Sequence, residues 1–408
     1  MGRGHRKILI YSHDSFGLGH LRRCRAIAHA LVDARPNLSV LILSGSPIIG
    51  NFSFRSRVDF VRIPGVIKLR HGDYMPLSLK IGIEDILRLR ASIIRHTAES
   101  FAPDVVLVDK EPWGLRGEVR DTLLMLKAKG TPLILGLRDV MDDPAALAEE
   151  WQRKNAMSAL ADVYDHIWIY GLPEICDPLQ GLRLPPSVRA KIRYTGYLRR
   201  KVSEMGRSLL SVNPFAGQPY VLVTTGGGGD GTEVIDWVLR AYEYDTDIPY
   251  PALLVLGPFM RSTVQAEFME RVARLERVEA ITFDANVETL MADAAGIVAM
   301  GGYNTFCEIL SFNKRALIVP RSVPRMEQSI RAARAEALGL VRMLAIDGDC
   351  GAARLAEAIA ALPFQPLPSE VRIPGLLEGL AVIDRMMEDW LDADLHVPAC
   401  PSVATASP

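Results

Sequence analysis

The sequence predicts an α/β protein with two domains, each built on a doubly wound parallel sheet. Three observations indicate this fold class. Short apolar runs alternate with helix-length segments, and glycine-rich turns follow three of these runs where a helix is expected to begin. A length of 408 residues with 49% hydrophobic residues also exceeds one typical core. We therefore expect two Rossmann-like domains that face each other across a central cleft.

The amino-terminal domain is expected over residues 1–195. It opens with an apolar strand at 7–12, a glycine turn and a helix at 21–32. Helix-length segments separate the later strands, as parallel pairing requires. These strands are predicted at 38–43, 58–63, 104–108, 133–137 and 166–170.

Residues 196–218 lose this alternation and are the predicted interdomain linker. The second domain is expected over 219–365, followed by a helical segment at 366–395. The tail at 396–408 is rich in proline, serine and alanine, so we expect it to be disordered. The strands of the second domain are predicted at 220–225, 252–257, 280–283, 296–300, 316–320 and 341–344.

The first glycine turn holds a candidate general base. Gly17 and Gly19 begin like a dinucleotide fingerprint, but Arg22 stands at the third glycine position, which disfavours an NAD-binding protein. His20 is expected at the helix start, facing the carboxyl edge of the sheet, where a histidine can act as a base near neutral pH. The alternative is a solvated histidine that caps the helix.

Three carboxylates at strand ends complete the candidates for proton transfer. Asp14 is the expected orienting partner of His20 or a rival base. Asp109 and Glu111 follow another apolar strand and rank next. Arg138 and Asp139 end a third strand, where they could bind a substrate or form an ordinary loop ion pair.

The second glycine turn is the run Gly226, Gly227, Gly228 and Gly229, between a strand and the helical pattern at 232–242. A plain turn needs one or two glycines, and each further one costs chain entropy. We therefore favour a phosphate or sugar pressed against this backbone over a flexible surface loop.

The third turn combines two glycines, a helix start and a carboxylate. Gly301 and Gly302 follow a buried strand, and Asn304 or Thr305 is expected to cap the next helix. Glu308 would then lie in the first turn, where it can accept hydrogen bonds from ribose hydroxyls. The alternative is a capping box, which would use the side chains of Thr305 and Glu308 on backbone amides.

Charge and cysteine usage exclude several classes of protein. A formal net charge of -1 and a pI near 6.7 disfavour nucleic-acid binding. The five cysteines are scattered without metal-ligand spacing, and no apolar run is long enough to cross a membrane. We expect a cytoplasmic protein without a metal or other cofactor.

Residues 52–95 carry nine Lys or Arg against four Asp or Glu, interleaved with apolar side chains. Such a surface can contact anionic lipid at the inner face of the membrane. The alternative, which we favour, is a solvated basic face over an ordinary amphipathic core helix. The apolar side chains concerned are Phe52, Phe54, Ile81, Ile83, Ile86 and Ile93.

One ordered set of residues resembles a known family. The segment Gly-Gly-x-Asn-Thr-x-x-Glu at 301–308 is followed by Pro320, then Glu327 and Gln328, and a helix that ends at Gly339. This order and spacing are similar to the donor-binding signature of the GT-B glycosyltransferases, and within them of family 28. The resemblance implies a GT-B fold.

The resemblance, clearest over 220–345, also implies an activity. A hexose or N-acetylhexosamine would pass from a nucleoside-diphosphate sugar, expected to be UDP-linked, to a glycan, lipid-linked or small-molecule acceptor, by inverting displacement. Cell-envelope or polysaccharide synthesis is the implied context. Glu308 would hold the ribose, Glu327 and Gln328 would contact sugar hydroxyls, and Phe283 would lie beside the base. The expected donor-binding residues are Gly17, Gly19, Gly226, Gly227, Gly228, Gly229, Phe283, Gly301, Gly302, Asn304, Thr305, Glu308, Glu327 and Gln328.

Departures from the family bear on the acceptor. The acidic, proline-containing turn at 109–114 stands where the family's lipid-linked enzyme has a glycine-rich segment, so we expect a different acceptor. Residues 17–24 also resemble a nucleotide-sugar hydrolase of the GT-B type, for which water is the acceptor. A nucleotide-sugar sensor without turnover and a nucleotide-sugar epimerase share the architecture and remain alternatives.

Overall fold

A computed structural model describes most of the chain. The described residues are 5–14, 18–69, 73–202, 213–227, 229–284, 286–345 and 351–392. Gly17 and Gly228, much of the predicted linker and the predicted disordered tail lie outside them.

The amino-terminal half forms a seven-stranded parallel sheet in the order β3-β2-β1-β6-β7-β8-β9. The strands are β1 Arg6–Ser12, β2 Leu38–Ser44, β3 Val58–Arg62, β4 Val66–Lys68, β5 Tyr74–Pro76, β6 Val105–Asp109, β7 Leu133–Arg138, β8 His166–Tyr170 and β9 Ile192–Tyr194. The helices are α1 Gly19–Ala34, α2 Ile83–Phe101, α3 Arg120–Ala128, α4 Pro144–Arg153, α5 Ala156–Ser158 and α6 Pro186–Arg189.

The carboxyl-terminal half forms a six-stranded parallel sheet in the order β12-β11-β10-β13-β14-β15. The strands are β10 Val221–Thr224, β11 Ala252–Val255, β12 Val278–Ile281, β13 Gly296–Ala299, β14 Ala316–Ile318 and β15 Arg342–Met343. The helices are α7 Thr232–Tyr244, α8 Ser262–Val272, α9 Val287–Asp293, α10 Tyr303–Ser311, α11 Glu327–Ala337, α12 Ala352–Ala361, α13 Gly379–Met386 and α14 Glu388–Leu391.

The predicted α/β fold class is confirmed, with two parallel sheets. The central strands of both sheets are buried along their whole length, because helices cover both faces. Three elements differ from the sequence prediction. The hairpin of β4 and β5 and the short edge strand β9 were not predicted, and β12 lies two residues earlier than expected because Val278 pairs with Ala252 of β11.

The chain returns to its amino-terminal half at its end. Arg6 donates a hydrogen bond from Nε to the Leu391 carbonyl (3.2 Å), and Arg35 donates from Nη2 to the Asp384 carbonyl (2.9 Å). The last two described helices therefore pack on the first domain. The carboxyl edges of β1 and β6 in one sheet and of β10 and β13 in the other face a common cleft.

Candidate functional site

The cleft contains a hydrogen-bonded histidine–aspartate pair. His20 lies in the first turn of α1, and Asp109 ends β6. His20 Nδ1 lies 2.5 Å from Asp109 Oδ2. One turn further along α1, Arg23 binds the same carboxylate through Nε (2.8 Å) and Nη2 (2.7 Å). Asp109 is buried, whereas the His20 side chain keeps 20% of its surface exposed toward the cleft.

These contacts fix the protonation of the pair. Burial raises the pKa of Asp109, but Arg23 and His20 outweigh it and hold the pKa below its ordinary value. Asp109 is therefore ionised and accepts the proton on His20 Nδ1. Burial lowers the pKa of His20 more than Asp109 raises it, so the imidazole is neutral at pH 7. No described residue hydrogen-bonds Nε2, which keeps its lone pair free.

Asp14 does not orient His20, contrary to our first expectation. Its carboxylate accepts hydrogen bonds from the Ser12 and Ser44 hydroxyls, both at 2.6 Å, and from the Leu21 amide at 3.1 Å. The last bond satisfies an amide in the first turn of α1. Asp14 thus holds the start of the helix that carries His20, and the orienting role falls to Asp109.

Glu111 lies beside this pair and is committed to other partners. It accepts a hydrogen bond from Lys154 Nζ at 2.7 Å. Burial raises the pKa of Glu111, but Lys110, His13 and Lys154 together lower this pKa by a larger amount. Glu111 is therefore ionised. The His13 ring lies 5.7 Å from the His20 ring, edge to face.

The start of α10 corrects two expectations. The helix is capped by the Gly302 backbone, and neither Asn304 nor Thr305 caps it. Asn304 instead reaches across the cleft: its Nδ2 donates to the Gly19 carbonyl (2.9 Å), and its Oδ1 accepts from Arg200 Nη2 (2.7 Å). The capping box is therefore wrong, and the starts of α1 and α10 lie side by side.

Glu308 lies in the second turn of α10, not in the first, because the helix begins at Tyr303. Its carboxylate is buried and accepts a hydrogen bond from Arg22 Nη2 at 2.5 Å. The same nitrogen donates to Glu288 of α9 at 2.7 Å. Burial, opposed by Arg22 and reinforced by Glu288, raises the pKa of Glu308 to about 7. Arg22 thus connects α1 to two carboxylates of the other domain.

The glycines differ in what their positions require. Gly301 has φ +76°, and a Cβ there would lie 2.7 Å from the Ile318 side chain. Gly226 has φ +68°, but no described atom would lie within 4 Å of its Cβ, and the same holds for Gly302. Packing therefore requires a glycine at position 301, because a side chain would clash with Ile318. At Gly226 and Gly302 the space beside the backbone is open. Gly227 directly follows Gly226, and Gly229 lies two positions further along the chain.

Phe283 contributes to a small pocket between the domains. The amino-terminal domain supplies Leu18, Arg22 and Phe52, and the carboxyl-terminal domain supplies Thr224, Gly226, Val255, Phe283, Asp284 and Val287. The pocket is thus apolar on one side and opens onto the glycine turn and Arg22 on the other. Phe52, Phe283 and Val287 offer it apolar surface of the kind that packs against a planar ring.

Glu327 and Gln328 begin α11 and are buried. Gln328 Oε1 accepts a hydrogen bond from the Arg321 amide at 3.2 Å. Glu327 Oε1 lies 3.7 Å from Arg138 Nη1 and 3.5 Å from Arg321 Nη2. Its other oxygen, Oε2, is buried without a hydrogen-bond partner in the described part of the chain. A hydroxyl donor in the cleft could satisfy it.

Sequence reasoning missed the ion pairs that cross the cleft. Asp139 binds Arg331, not its neighbour Arg138, through contacts of 2.6 and 2.7 Å. Arg325 likewise binds Asp142 (3.2 Å) and Glu150 of α4 (2.8 Å). Sequence reasoning also missed Arg23, although its spacing from His20 places both residues on one face of a helix.

Among the described residues, no group of three or more His, Cys, Asp or Glu side chains is arranged to bind a metal. Within the same residues, no helix combines the length and the hydrophobicity needed to cross a bilayer.

Two parallel-sheet domains around a common cleft are the architecture of GT-B glycosyltransferases, and solved structures of that class match nearly the whole chain. UGT2 of Phytolacca americana, solved with UDP-2-fluoro-glucose and pterostilbene, is 15% identical, with a TM-score of 0.63, and covers 94% of this chain and 99% of its own. MurG of Acinetobacter baumannii is 13% identical, with a TM-score of 0.56 and coverages of 94% and 99%. At these identities the likeness shows the fold alone.

The carboxyl-terminal half is similar in sequence to one family. Residues 221–370 match the model of the glycosyltransferase family 28 C-terminal domain. A curated relative from Pseudothermotoga lettingae, UDP-N-acetylglucosamine–N-acetylmuramyl-(pentapeptide) pyrophosphoryl-undecaprenol N-acetylglucosamine transferase, is 28% identical over 138 residues. The match spans 33% of this chain and about a third (35%) of the relative's length. The predicted resemblance to a GT-B, family 28-like glycosyltransferase is confirmed.

Proposed function

We propose that the protein is a glycosyltransferase that uses a nucleoside-diphosphate sugar, expected to be UDP-linked, and transfers its hexose or N-acetylhexosamine with inversion to an acceptor hydroxyl. One observation carries this proposal. The Asn304–Gly19 hydrogen bond brings the starts of α1 and α10 together, so the His20–Asp109 pair lies near the helix start to which the family resemblance assigns donor binding. The coarser conclusion, a nucleotide-sugar glycosyltransferase, also has the support of the family match.

His20 is the general base in this proposal. Its neutral Nε2 takes the proton of the acceptor hydroxyl while the oxygen attacks the anomeric carbon. Asp109 holds the Nδ1–H tautomer and stabilises the imidazolium that forms, and Arg23 keeps Asp109 ionised. With one base and a single displacement, attack occurs opposite the leaving group and the anomeric configuration inverts.

The leaving nucleoside diphosphate is stabilised from the carboxyl-terminal domain. The unpaired amides at the start of α10 attract phosphate, and Gly302 and Gly226 leave room for its close approach. These groups are in place before the reaction and need no metal, so we propose metal-independent transfer. Addition of EDTA is expected to leave turnover unchanged, and a loss restored by Mg²⁺ would contradict this part of the proposal.

Donor binding then involves an exchange at Glu308. The carboxylate expected to hold the ribose is bound by Arg22 in this structure. A ribose hydroxyl can take one Glu308 oxygen while Arg22 keeps its bond to Glu288 or turns to the diphosphate. Glu327 Oε2 and Gln328 supply acceptors for sugar hydroxyls at the other side of the cleft.

The test is nucleoside diphosphate release from UDP-, GDP-, CDP- and dTDP-sugars, first alone and then with a cell extract as the acceptor source. Release that depends on the extract supports a transferase. His20→Ala is expected to abolish it, and near-normal turnover in that variant would remove His20 from the role. Leu124→Ala, an exposed change on α3, serves as the matched control.

Hydrolysis is the second candidate, because the same base can activate water and the segment 17–24 resembles a hydrolase. Rapid release without acceptor, accompanied by free sugar, would favour it. Tight donor binding without release would favour a sensor, and interconversion of two nucleotide sugars without release an epimerase.

A peripheral membrane contact is proposed for the segment from β5 into α2. Phe52 and Ile86 belong to the core, as the favoured alternative of an amphipathic core helix expects, but Met75, Leu79, Ile81 and Leu89 are each more than 40% exposed. Their exposed neighbour Lys80 adds a positive charge. Co-sedimentation with anionic vesicles at low salt tests the contact. Leu79→Gln with Ile81→Gln should abolish it, whereas Leu124→Gln should not.

A further inference from the structure

Two cations beside the histidine–aspartate pair are poorly neutralised. Lys110 directly follows β6, and Arg138 ends β7, the neighbouring strand. The Lys110 amide donates to the Gly136 carbonyl at 2.8 Å, so both cations lie at the same edge of the sheet. Each side chain is 13% exposed. Two largely buried positive charges therefore line the cleft next to Asp109.

The nearest carboxylates are already engaged by other cations. Glu111 lies 3.5 Å from Lys110 Nζ but 2.7 Å from Lys154 Nζ. Within the described residues, Lys110 Nζ donates no hydrogen bond to compensate for its burial. Charges removed from water without a close partner are costly.

Arg138 is in the same situation. Glu327 lies 3.7 Å from its Nη1 and closer to Arg321, at 3.5 Å. The buried Nε of Arg138 has no hydrogen-bond partner among the described residues. The other carboxylates of this corner, Asp142 and Glu150, are bound by Arg325. The corner thus holds hydrogen-bond donors that lack a close acceptor among the described residues.

The backbone and the electrostatics support the same conclusion. Lys110 has φ +71°, a left-handed conformation that is uncommon and strained for a lysine. Burial lowers the pKa of Lys110 to about 8; Glu111 opposes this shift, whereas Arg325, Arg138 and Lys154 add to it. Burial also lowers the pKa of Arg138. An anion in this corner would reverse both penalties.

We propose that Lys110 and Arg138 bind an anionic group, a carboxylate or a phosphate, on the acceptor substrate; this rests on the glycosyltransferase function proposed above. Both cations belong to the amino-terminal domain and adjoin the partner of His20, so the anion lies near the hydroxyl that His20 deprotonates. A neutral acceptor would leave both cations with only their long ion pairs to Glu111 and Glu327, which makes the two cations a determinant of acceptor specificity.

Binding can be tested without knowing the acceptor. We would measure binding by calorimetric titration with phenyl phosphate, benzoate and the neutral benzyl alcohol. The proteins compared are the full chain, the variants Lys110→Gln and Arg138→Gln, their double variant, and the control Lys127→Gln. Lys127 is a lysine on α3 that pairs with Asp165. The wild type and the control should bind one or both anions and should not bind the alcohol. Each single variant should bind the anion about tenfold more weakly, as expected for the loss of one charge-assisted hydrogen bond.

Two results would overturn the proposal. One is that the wild type shows no saturable anion binding. The other is that the double variant binds the anion as tightly as the wild type and UDP displaces that anion, which would place it at the donor side of the cleft. Lys110→Arg guards against a folding defect, since it keeps the charge and should keep binding. Titration with UDP, GDP, CDP and dTDP tests the proposed function separately. If no nucleotide binds while the anion does, the glycosyltransferase function fails and the anion site stands.

Acceptor pairs supply the second readout once turnover is measurable. Nitrophenyl glucuronide is compared with nitrophenyl glucoside, and a hexose 6-phosphate with the free hexose. The wild type should prefer the charged member of at least one pair in kcat/KM, and the double variant should lose that preference. Equal use of charged and neutral members by the wild type would count against an anionic acceptor.

Discussion

At the scale of single residues, Asp109 is the group on which the chemistry depends. It has two hydrogen-bonding neighbours, the neutral His20 and the cationic Arg23, and both come from the same face of α1. The sequence predicted His20 at a helix start and Asp109 at a strand end, but it could not pair them, because they lie 89 positions apart and Asp14 is much nearer along the chain. Only the order β1-β6 in the sheet brings Asp109 next to α1.

Asp109→Asn should lower kcat by about 10²- to 10⁴-fold with a smaller change in KM. An amide cannot hold His20 in the Nδ1–H tautomer or stabilise the imidazolium. Single-turnover kinetics with saturating donor measure the effect. Asp59→Asn, at an exposed residue of β3, is the control and should be indistinguishable from the wild type. A drop of less than about threefold in Asp109→Asn would contradict the assigned role.

The pH profile follows from the shifted pKa of His20. Burial lowers this pKa below its ordinary value, and the base works only when neutral, so kcat/KM should rise through an acidic limb below pH 6.5 and level off before pH 7. Asp109 raises the pKa of His20, so the limb should move to lower pH in Asp109→Asn. A rate that falls as pH rises from 5 to 7 would show that the protonated form is active.

At the scale of elements, the starts of α1 and α10 form the site, and each departs from what its sequence favours. Asn304 and Thr305 are good capping residues, which predicted a cap. The helix instead begins at Tyr303, with Gly302 in the N-cap position. The side-chain amide of Asn304 is therefore free to donate a hydrogen bond to α1. Turn and strand positions could be predicted from glycine and apolar spacing, whereas this choice of cap depends on a partner in the other domain.

The two glycines before α10 should respond differently to alanine. Gly301→Ala should lower the free energy of unfolding by about 1 kcal/mol or more, because φ is +76° and the new Cβ meets Ile318. Gly302→Ala should unfold close to the wild type, since its Cβ meets nothing, but should weaken nucleoside diphosphate binding by crowding the backbone amides. Urea unfolding and calorimetric titration give the two quantities. Equal nucleotide affinity in Gly302→Ala and the wild type would exclude close phosphate contact there.

At the scale of the whole molecule, polar bridges hold the cleft. Arg22, Asn304 and Arg331 each join one domain to the other. Sequence analysis predicted two domains and a cleft from strand spacing, yet none of these bridges, because a pair such as Asp139 and Arg331 lies 192 positions apart in a chain of nearly balanced charge. The local spacing of apolar residues predicts the helices and strands. The closure of the cleft depends on polar and charged side chains that come into contact only after folding.

The buried bridge between Asp139 and Arg331 gives the clearest test of that closure. Arg331 also donates from Nη1 to the Gly301 carbonyl (3.0 Å), and Asp139 accepts from the Tyr197 hydroxyl (2.8 Å). Arg331→Met should lower the free energy of unfolding by about 3–5 kcal/mol, because it leaves a buried carboxylate without its cation. Arg95→Met, which breaks an exposed pair on α2, should cost at most about 0.5 kcal/mol.

Removing both charges distinguishes an unpaired charge from lost packing. Arg331→Met combined with Asp139→Leu should recover part of the stability, since no buried charge remains, although Tyr197 and Gly301 each lose a hydrogen-bond partner. Denaturant unfolding of the two single variants and the double variant forms the cycle. If the double variant were as unstable as Arg331→Met alone, the bridge would stabilise the cleft through packing and the Gly301 contact, not through its charge.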